Sequence, residues 1–116
     1  MEWKPATIDE VKAIVVADLK GCNADEAALF QQYSVEPFLA PILRYGKEEN
    51  VVVVARKSNE VVYWEDVEEG FNISVVGPEG RILEHWCNQD DLIVALNCLV
   101  QPCEHRTRNW GPAINL

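Results

Sequence analysis

The sequence predicts a single α+β domain with two N-terminal helices, a four-stranded antiparallel β-meander, a C-terminal helix packed on the sheet and a short irregular tail. Three observations predict this class. Four short strand-like runs follow one another between Val51 and Trp86, separated by turn residues. Helix start signals and apolar residues at three- and four-residue spacing lie on both sides of these runs. At 116 residues, the chain has the commonest size of one domain.

The predicted domain covers residues 1–116. We assign 1–50 to the helical part and a connector, 51–87 to the antiparallel sheet, 88–100 to a helix and 101–116 to the tail. A chain of this length buries roughly two thirds of its unfolded surface, so it needs neither disulfides nor a metal to fold.

Two helices are predicted in the N-terminal part. Thr7 and Glu10 have the spacing of a capping box, in which each side chain satisfies a backbone N–H of the first turn. We expect Gly21 to end this helix in the left-handed conformation. Asn23 and Glu26 repeat the start signal for a second, shorter helix. The apolar face of the first helix consists of Ile8, Val11, Ile14, Val15 and Leu19.

Between this second helix and the first predicted strand, Pro37 and Pro41 interrupt any helical pattern, because an internal proline loses a hydrogen bond and clashes with the preceding turn. We expect a turn of helix or an extended connector there, packed down by its apolar residues.

The strands of the meander are predicted from β-branched runs and alternation. Gly77 to Gly80 is the clearest turn of the chain and should join two antiparallel strands. The predicted strands are 51–56, 61–64, 71–75 and 81–87.

The last helix is predicted to start at Asn88, with acidic residues in its first turn that complement the helix dipole. It ends at Gln101 and Pro102, beyond which the tail has no periodicity. Its buried stripe is Leu92, Ala95, Leu96 and Leu99.

The charge balance excludes some functions. With 19 acidic against 10 basic residues the net charge is −9, and this field repels a phosphate backbone. We therefore expect no nucleic-acid partner. No apolar run approaches the length of a membrane span, and nothing resembles a secretory signal, so we expect a cytoplasmic protein with reduced thiols and no membrane contact.

A metal site is a weak hypothesis. His85 and Cys87 share one face of the predicted strand, and Cys103 with His105 could complete a tetrahedral zinc set. Ordinary packing of the cysteines is the commoner case, and we expect no cofactor. No catalytic residues are assigned, although a carboxylate such as Glu84 beside His85 leaves acid–base chemistry open.

An acidic loop is the preferred candidate for binding. Trp64 precedes it, and aromatic residues of this type are enriched at interface hot spots. A cluster of carboxylates of this kind can dock a basic cleft on a partner in a salt-dependent way. The loop carboxylates are Glu65, Asp66, Glu68 and Glu69.

We therefore predict a small acidic binding protein with an inhibitor, immunity or regulatory role against a protein partner, and a homodimer stays open. In size, acidic balance and element order the chain resembles bacterial immunity and inhibitor proteins, which cover a basic partner. This resemblance is one of general form and transfers no residues. The alternative is a small enzyme or ligand-binding domain with a pocket near His85 and Glu84.

Overall fold

The computed structural model describes residues 4–85, 88–100 and 114–115. Two helices precede a four-stranded antiparallel sheet, and a third helix packs on that sheet, so the predicted α+β class is confirmed. The helices are α1 (Ile8–Lys20), α2 (Ala24–Tyr33) and α3 (Leu92–Val100). The strands are β1 (Ser34–Arg44), β2 (Lys47–Lys57), β3 (Glu60–Glu65), β4 (Gly70–Val75), β5 (Glu84–His85) and β6 (Ile114–Asn115).

Both N-terminal helices start at the predicted capping boxes. The Thr7 hydroxyl accepts a bond from the Glu10 N–H at 3.1 Å, and the Glu10 carboxylate accepts one from the Thr7 N–H at 2.9 Å. Asn23 and Glu26 form the same reciprocal pair at the start of α2. Gly21 has a φ of −88°, so the predicted left-handed end of α1 is wrong.

The segment predicted as a connector is the edge strand β1 of the sheet, whose order is β1-β2-β3-β4. The prolines that interrupt a helix are tolerated here because an edge strand has one side without a partner strand. The Pro41 carbonyl faces this outer side, where it accepts a bond from the Ile82 N–H at 2.8 Å. The missing N–H of Pro41 therefore removes no bond to β2.

The described part of the predicted strand 81–87, residues 81–85, does not belong to the four-stranded sheet, which is a correction. The turn Pro78–Gly80 reverses the chain, with Glu79 at a φ of 64°. Ile82 then bridges both Ile42 of β1 and Val76 just after β4. Because β1 and β4 are opposite edges, one residue can bridge both only if the sheet curls strongly.

Only Glu84 and His85 of this stretch form a strand among the residues that the structure describes. They pair with Ile114 and Asn115, so this part of the tail is ordered against β5. Trp86 and Cys87 lie outside the described residues.

Helix α3 begins at Leu92 rather than at the predicted Asn88. The Asn72 side chain bonds both the N–H and the carbonyl of Asn88, and the Phe71 N–H bonds the Asp90 carbonyl. These contacts hold the preceding residues extended along β4. At its start, α3 is tied to α1 because the Leu92 N–H donates to the Asp18 carboxylate at 3.0 Å.

Gly70 explains how closely this extended segment approaches the sheet. A Cβ on Gly70 would collide with the backbone of Asn88 and Gln89. Glycine is therefore required at the start of β4 by the close approach of a second backbone.

Apolar side chains fill both sides of the sheet. One side packs against the helices, and the other is the inner side of the curl, covered by Ile82. The helix side of the sheet contributes Val52, Val54, Ala55, Val62, Trp64, Phe71 and Ile73. The inner side contributes Ala40, Ile42, Val51, Val53, Val61 and Tyr63.

Leu96→Ala is expected to lower the free energy of unfolding by about 2–5 kcal/mol, because it empties a packed site in the helix-side core. Leu96 is 0% exposed. Urea denaturation followed by tryptophan fluorescence measures the loss.

Val94→Ala is the matched control on the same helix, since Val94 is 43% exposed. Its effect should stay within about 0.5 kcal/mol. A loss under about 0.5 kcal/mol for Leu96→Ala, the typical value for a surface residue, would mean that α3 is turned the other way.

Candidate functional site

A buried guanidinium organises the polar end of the curled sheet. Arg44 follows Ala40 and Ile42 on the inner side of β1, and its side chain is 0% exposed. Nη1 donates to the Glu65 carboxylate at 2.8 Å and to the Asp66 carboxylate at 2.7 Å. A further bond of 2.8 Å joins Arg44 Nε to Glu49 of β2. We call Arg44, Glu49, Glu65, Asp66 and His85 the charge cluster.

His85 completes the charge cluster from β5. Its Nε2 lies 2.8 Å from the second oxygen of the Glu65 carboxylate, and both side chains are 0% exposed. The ring of Tyr45 stands edge-on against the imidazole, with the ring centroids 5.4 Å apart. The Tyr45 ring, which is itself 64% exposed, lies between the imidazole and the solvent.

Tyr45 holds an uncommon backbone conformation in the turn between β1 and β2. Its φ is 50° and that of the following Gly46 is 77°, the signs that a two-residue hairpin turn of the I′ type requires. A bulky residue at positive φ is strained, and it persists where its surroundings fix it. The contact with His85 is such a constraint.

Asp66 connects the charge cluster to the start of the chain. One oxygen of its carboxylate accepts from Arg44 and the other accepts from the Ala6 N–H at 3.0 Å. The segment before α1 is therefore held against the loop that follows β3.

The charges of the cluster shift two pKa values. Burial of the Glu65 carboxylate on its own raises its pKa, but hydrogen bonds from His85 and the Val67 N–H and the charge of Arg44 lower it overall. Burial also acts to lower the pKa of Arg44, and its bonds to Asp66 and Glu65 outweigh this and raise it. Both groups are therefore held in their charged forms.

Two of the four carboxylates of the predicted binding loop are buried. Glu65 is 0% and Asp66 is 9% exposed, and both pair with Arg44. Glu68 is half-buried and Glu69 is exposed. Trp64 belongs to the helix-side core, where it packs edge-on against Phe71. Whether these residues bind a partner stays a prediction.

Three of the predicted binding residues nevertheless meet at one surface feature. Trp64, Asp66 and Glu69 line a groove of about 400 Å³ between the loop and α1. Val67, 40% exposed, adds an apolar side chain to it. We call this the loop groove. Its other lining residues are Lys4, Ala6, Glu10 and Ile14.

A second and larger groove lies on the other side of the N-terminal segment. It has a volume of about 940 Å³ and extends to the exposed Leu39 of β1. We call this the edge groove. It is lined by Lys4, Pro5, Ala6, Thr7, Ile8, Asp9, Leu39, Glu48, Glu49 and Asn50.

The zinc hypothesis receives no support from the residues that the structure describes. His85 is engaged by Glu65, and Cys87, Cys103 and His105 lie outside the described residues. Within the described part of the chain, no group of three metal-binding side chains is close enough to hold an ion. Among the described cysteines, Cys22 is a half-buried free thiol and Cys98 is buried.

At the alternative site, the described side chains of His85 and Glu84 are engaged by other groups of the protein. The His85 side chain is 0% exposed, and Glu84 binds the Val75 N–H through its carboxylate. Neither residue lines the loop groove or the edge groove.

No described helix has the length and apolar character that crossing a membrane requires. Comparison of the chain with protein-family models, with curated proteins and with solved structures found no match. The interpretation of its function therefore rests on the geometry of its own residues.

The alternation of side chains along β3 predicts that Glu65 is buried. Glu65 continues the alternation of Val61 and Tyr63, whose side chains lie on the inner side of the sheet. Arg44 in the same way continues Ala40 and Ile42. The pairing itself joins residues 21 positions apart, which local patterns do not predict.

Arg44→Met is expected to lower the free energy of unfolding by about 3–5 kcal/mol, because it leaves buried carboxylates without their cation. Chemical denaturation measures this loss. Arg56→Met on the exposed part of β2 is the control and should change stability by less than about 0.5 kcal/mol. A small loss for Arg44→Met would show that the carboxylates are hydrated.

Acid is expected to destabilise the domain through Glu65. Since the pKa of Glu65 is lowered in the folded state, its contribution is complete above the ordinary value of 4.5 and is lost as pH falls below it. Denaturation between neutral pH and pH ~3 should show that the pH dependence is weaker in Glu65→Gln. Glu68→Gln is the control. Identical slopes for the wild type and Glu65→Gln would contradict the assignment.

Proposed function

We propose that this domain is a small non-enzymatic binding protein, of the inhibitor, immunity or regulatory kind, that recognises a basic protein partner. The observation that carries the proposal is the loop groove. It places Trp64, Asp66 and Glu69 beside Glu10 of α1, on a chain whose net charge is −9.

The carboxylates that line the loop groove, together with Glu65 and Glu68 beside it in the chain, divide into two roles. Glu10 and Glu69 are exposed and Glu68 is half-buried, so basic groups of a partner can reach them. Glu65 and Asp66 are held by Arg44 from behind and position the loop. This division revises the predicted set of contact residues.

Charge and shape support a partner of this kind. An acidic surface raises the association rate with a basic protein. Val67 and the edge of Trp64 add apolar surface that is removed from water on binding. The same field disfavours nucleic acid. A cytoplasmic setting fits the free thiol of Cys22, since reducing compartments keep cysteines unpaired.

An enzymatic role has less support in the structure. A general base must reach a substrate within hydrogen-bond distance, and His85 is buried between Glu65 and Tyr45. The charge cluster is therefore better suited to holding the loop than to acid–base catalysis.

The proposal is tested with a triple variant, Glu10→Gln, Glu68→Gln and Glu69→Gln. Gln at position 10 keeps the capping box. A partner captured by the wild type from native cell extract is then measured by surface plasmon resonance at low and moderate salt. We expect association with the triple variant to be about tenfold slower at low salt, with a weaker salt dependence.

The matched control removes three exposed carboxylates elsewhere: Asp25→Asn, Glu79→Gln and Asp91→Asn. It has the same net charge as the triple variant. If both variants associate equally slowly, only the total charge matters and the loop groove is not the binding site.

A further inference from the structure

The edge groove has an apolar floor that the fold leaves uncovered among the described residues. Leu39 is 51% exposed and lies on the helix side of β1, because it pairs with Val52 of the helix-side core. Ile8 and Ala6 stand opposite Leu39, across a volume of about 940 Å³. A space of this size accepts one large apolar side chain and its neighbours.

The backbone of β1 argues against a partner that adds a strand at this place. Pro37 and Pro41 flank Leu39 and have no N–H to donate. The outward carbonyl of Pro41 already accepts from Ile82. An occupant of the edge groove therefore binds through side chains rather than by sheet extension.

The rim of the edge groove is acidic. Among the described residues that line it, Asp9, Glu48 and Glu49 are acidic and Lys4 is basic. The Glu48 side chain is 60% exposed even with its ion pair to Arg81, and Asp9 is exposed in the first turn of α1. A cationic group placed there meets two accessible carboxylates, in agreement with the net charge of the chain.

We infer that the edge groove seats a short segment of the partner protein in which a large apolar residue lies within a few positions of a lysine or arginine. The apolar residue packs between Leu39 and Ile8, and the cation meets Asp9 and Glu48. This inference rests on the proposed function. The two grooves share Lys4 and Ala6, so one basic partner covers both.

A phage-displayed library of short random peptides, selected on the immobilised full chain, tests the inference without knowledge of the partner. Selected peptides should share an apolar residue close to a basic one. On titration they should shift the amide signals of Leu39, Ile8 and Glu48. Leu39→Gln should weaken their binding by about tenfold, the effect of losing one apolar anchor.

Three controls define the result. Val94→Thr changes an exposed valine on α3 and should leave peptide binding unchanged, and Leu39→Gln should keep the wild-type melting temperature because Leu39 is half exposed. The pair Asp9→Asn and Glu48→Gln should weaken binding mainly at low salt.

Peptides that bind Leu39→Gln as well as the wild type, or that share no apolar residue, would overturn the inference. The proposed function fails separately, if the triple variant at the loop groove associates with the captured partner as fast as the wild type.

Discussion

The fold depends on one buried cation. Arg44 stands at the end of β1, yet its bonds reach Glu49 of β2, Glu65 of β3 and Asp66 in the following loop. Through these carboxylates it also fixes His85 of β5 and the Ala6 backbone. Burial of charged groups costs hydration free energy, and only ion pairs with good geometry offset that cost. The charge cluster therefore determines how the segment before α1 and strand β5 meet the sheet.

The shape of both grooves depends on the charge cluster. The segment that precedes α1 is the ridge between them, and the bond from Asp66 to Ala6 holds it. The loop after β3 is fixed where it leaves the strand, by Glu65 at the end of β3 and by Asp66 next to it, while Glu69 stays exposed. For the binding that we propose, carboxylates on a loop fixed in this way limit the entropy lost on association.

Local signals were sufficient for the helical start of the chain and for the class of the fold. Each capping box is complete within four residues, so Thr7 and Asn23 could be recognised from sequence. The edge strand was not recognised from sequence. Pro37 and Pro41 exclude a helix, but they are compatible both with an edge strand and with an extended connector. The path of Ile82 and the burial of Glu65 depend on distant partners, and no local pattern specifies those.

The turn at Tyr45 illustrates a conflict between backbone and side chain. Asparagine suits the positive φ of this position better, so a design that optimises turns alone would replace the tyrosine. That replacement would relieve the backbone and remove the ring that stands against His85. Water would then reach the Glu65 and Arg44 pair, weakening it by dielectric screening. The Tyr45 ring therefore keeps water away from the charge cluster. The stronger ion pairing that results compensates for the backbone strain at residue 45.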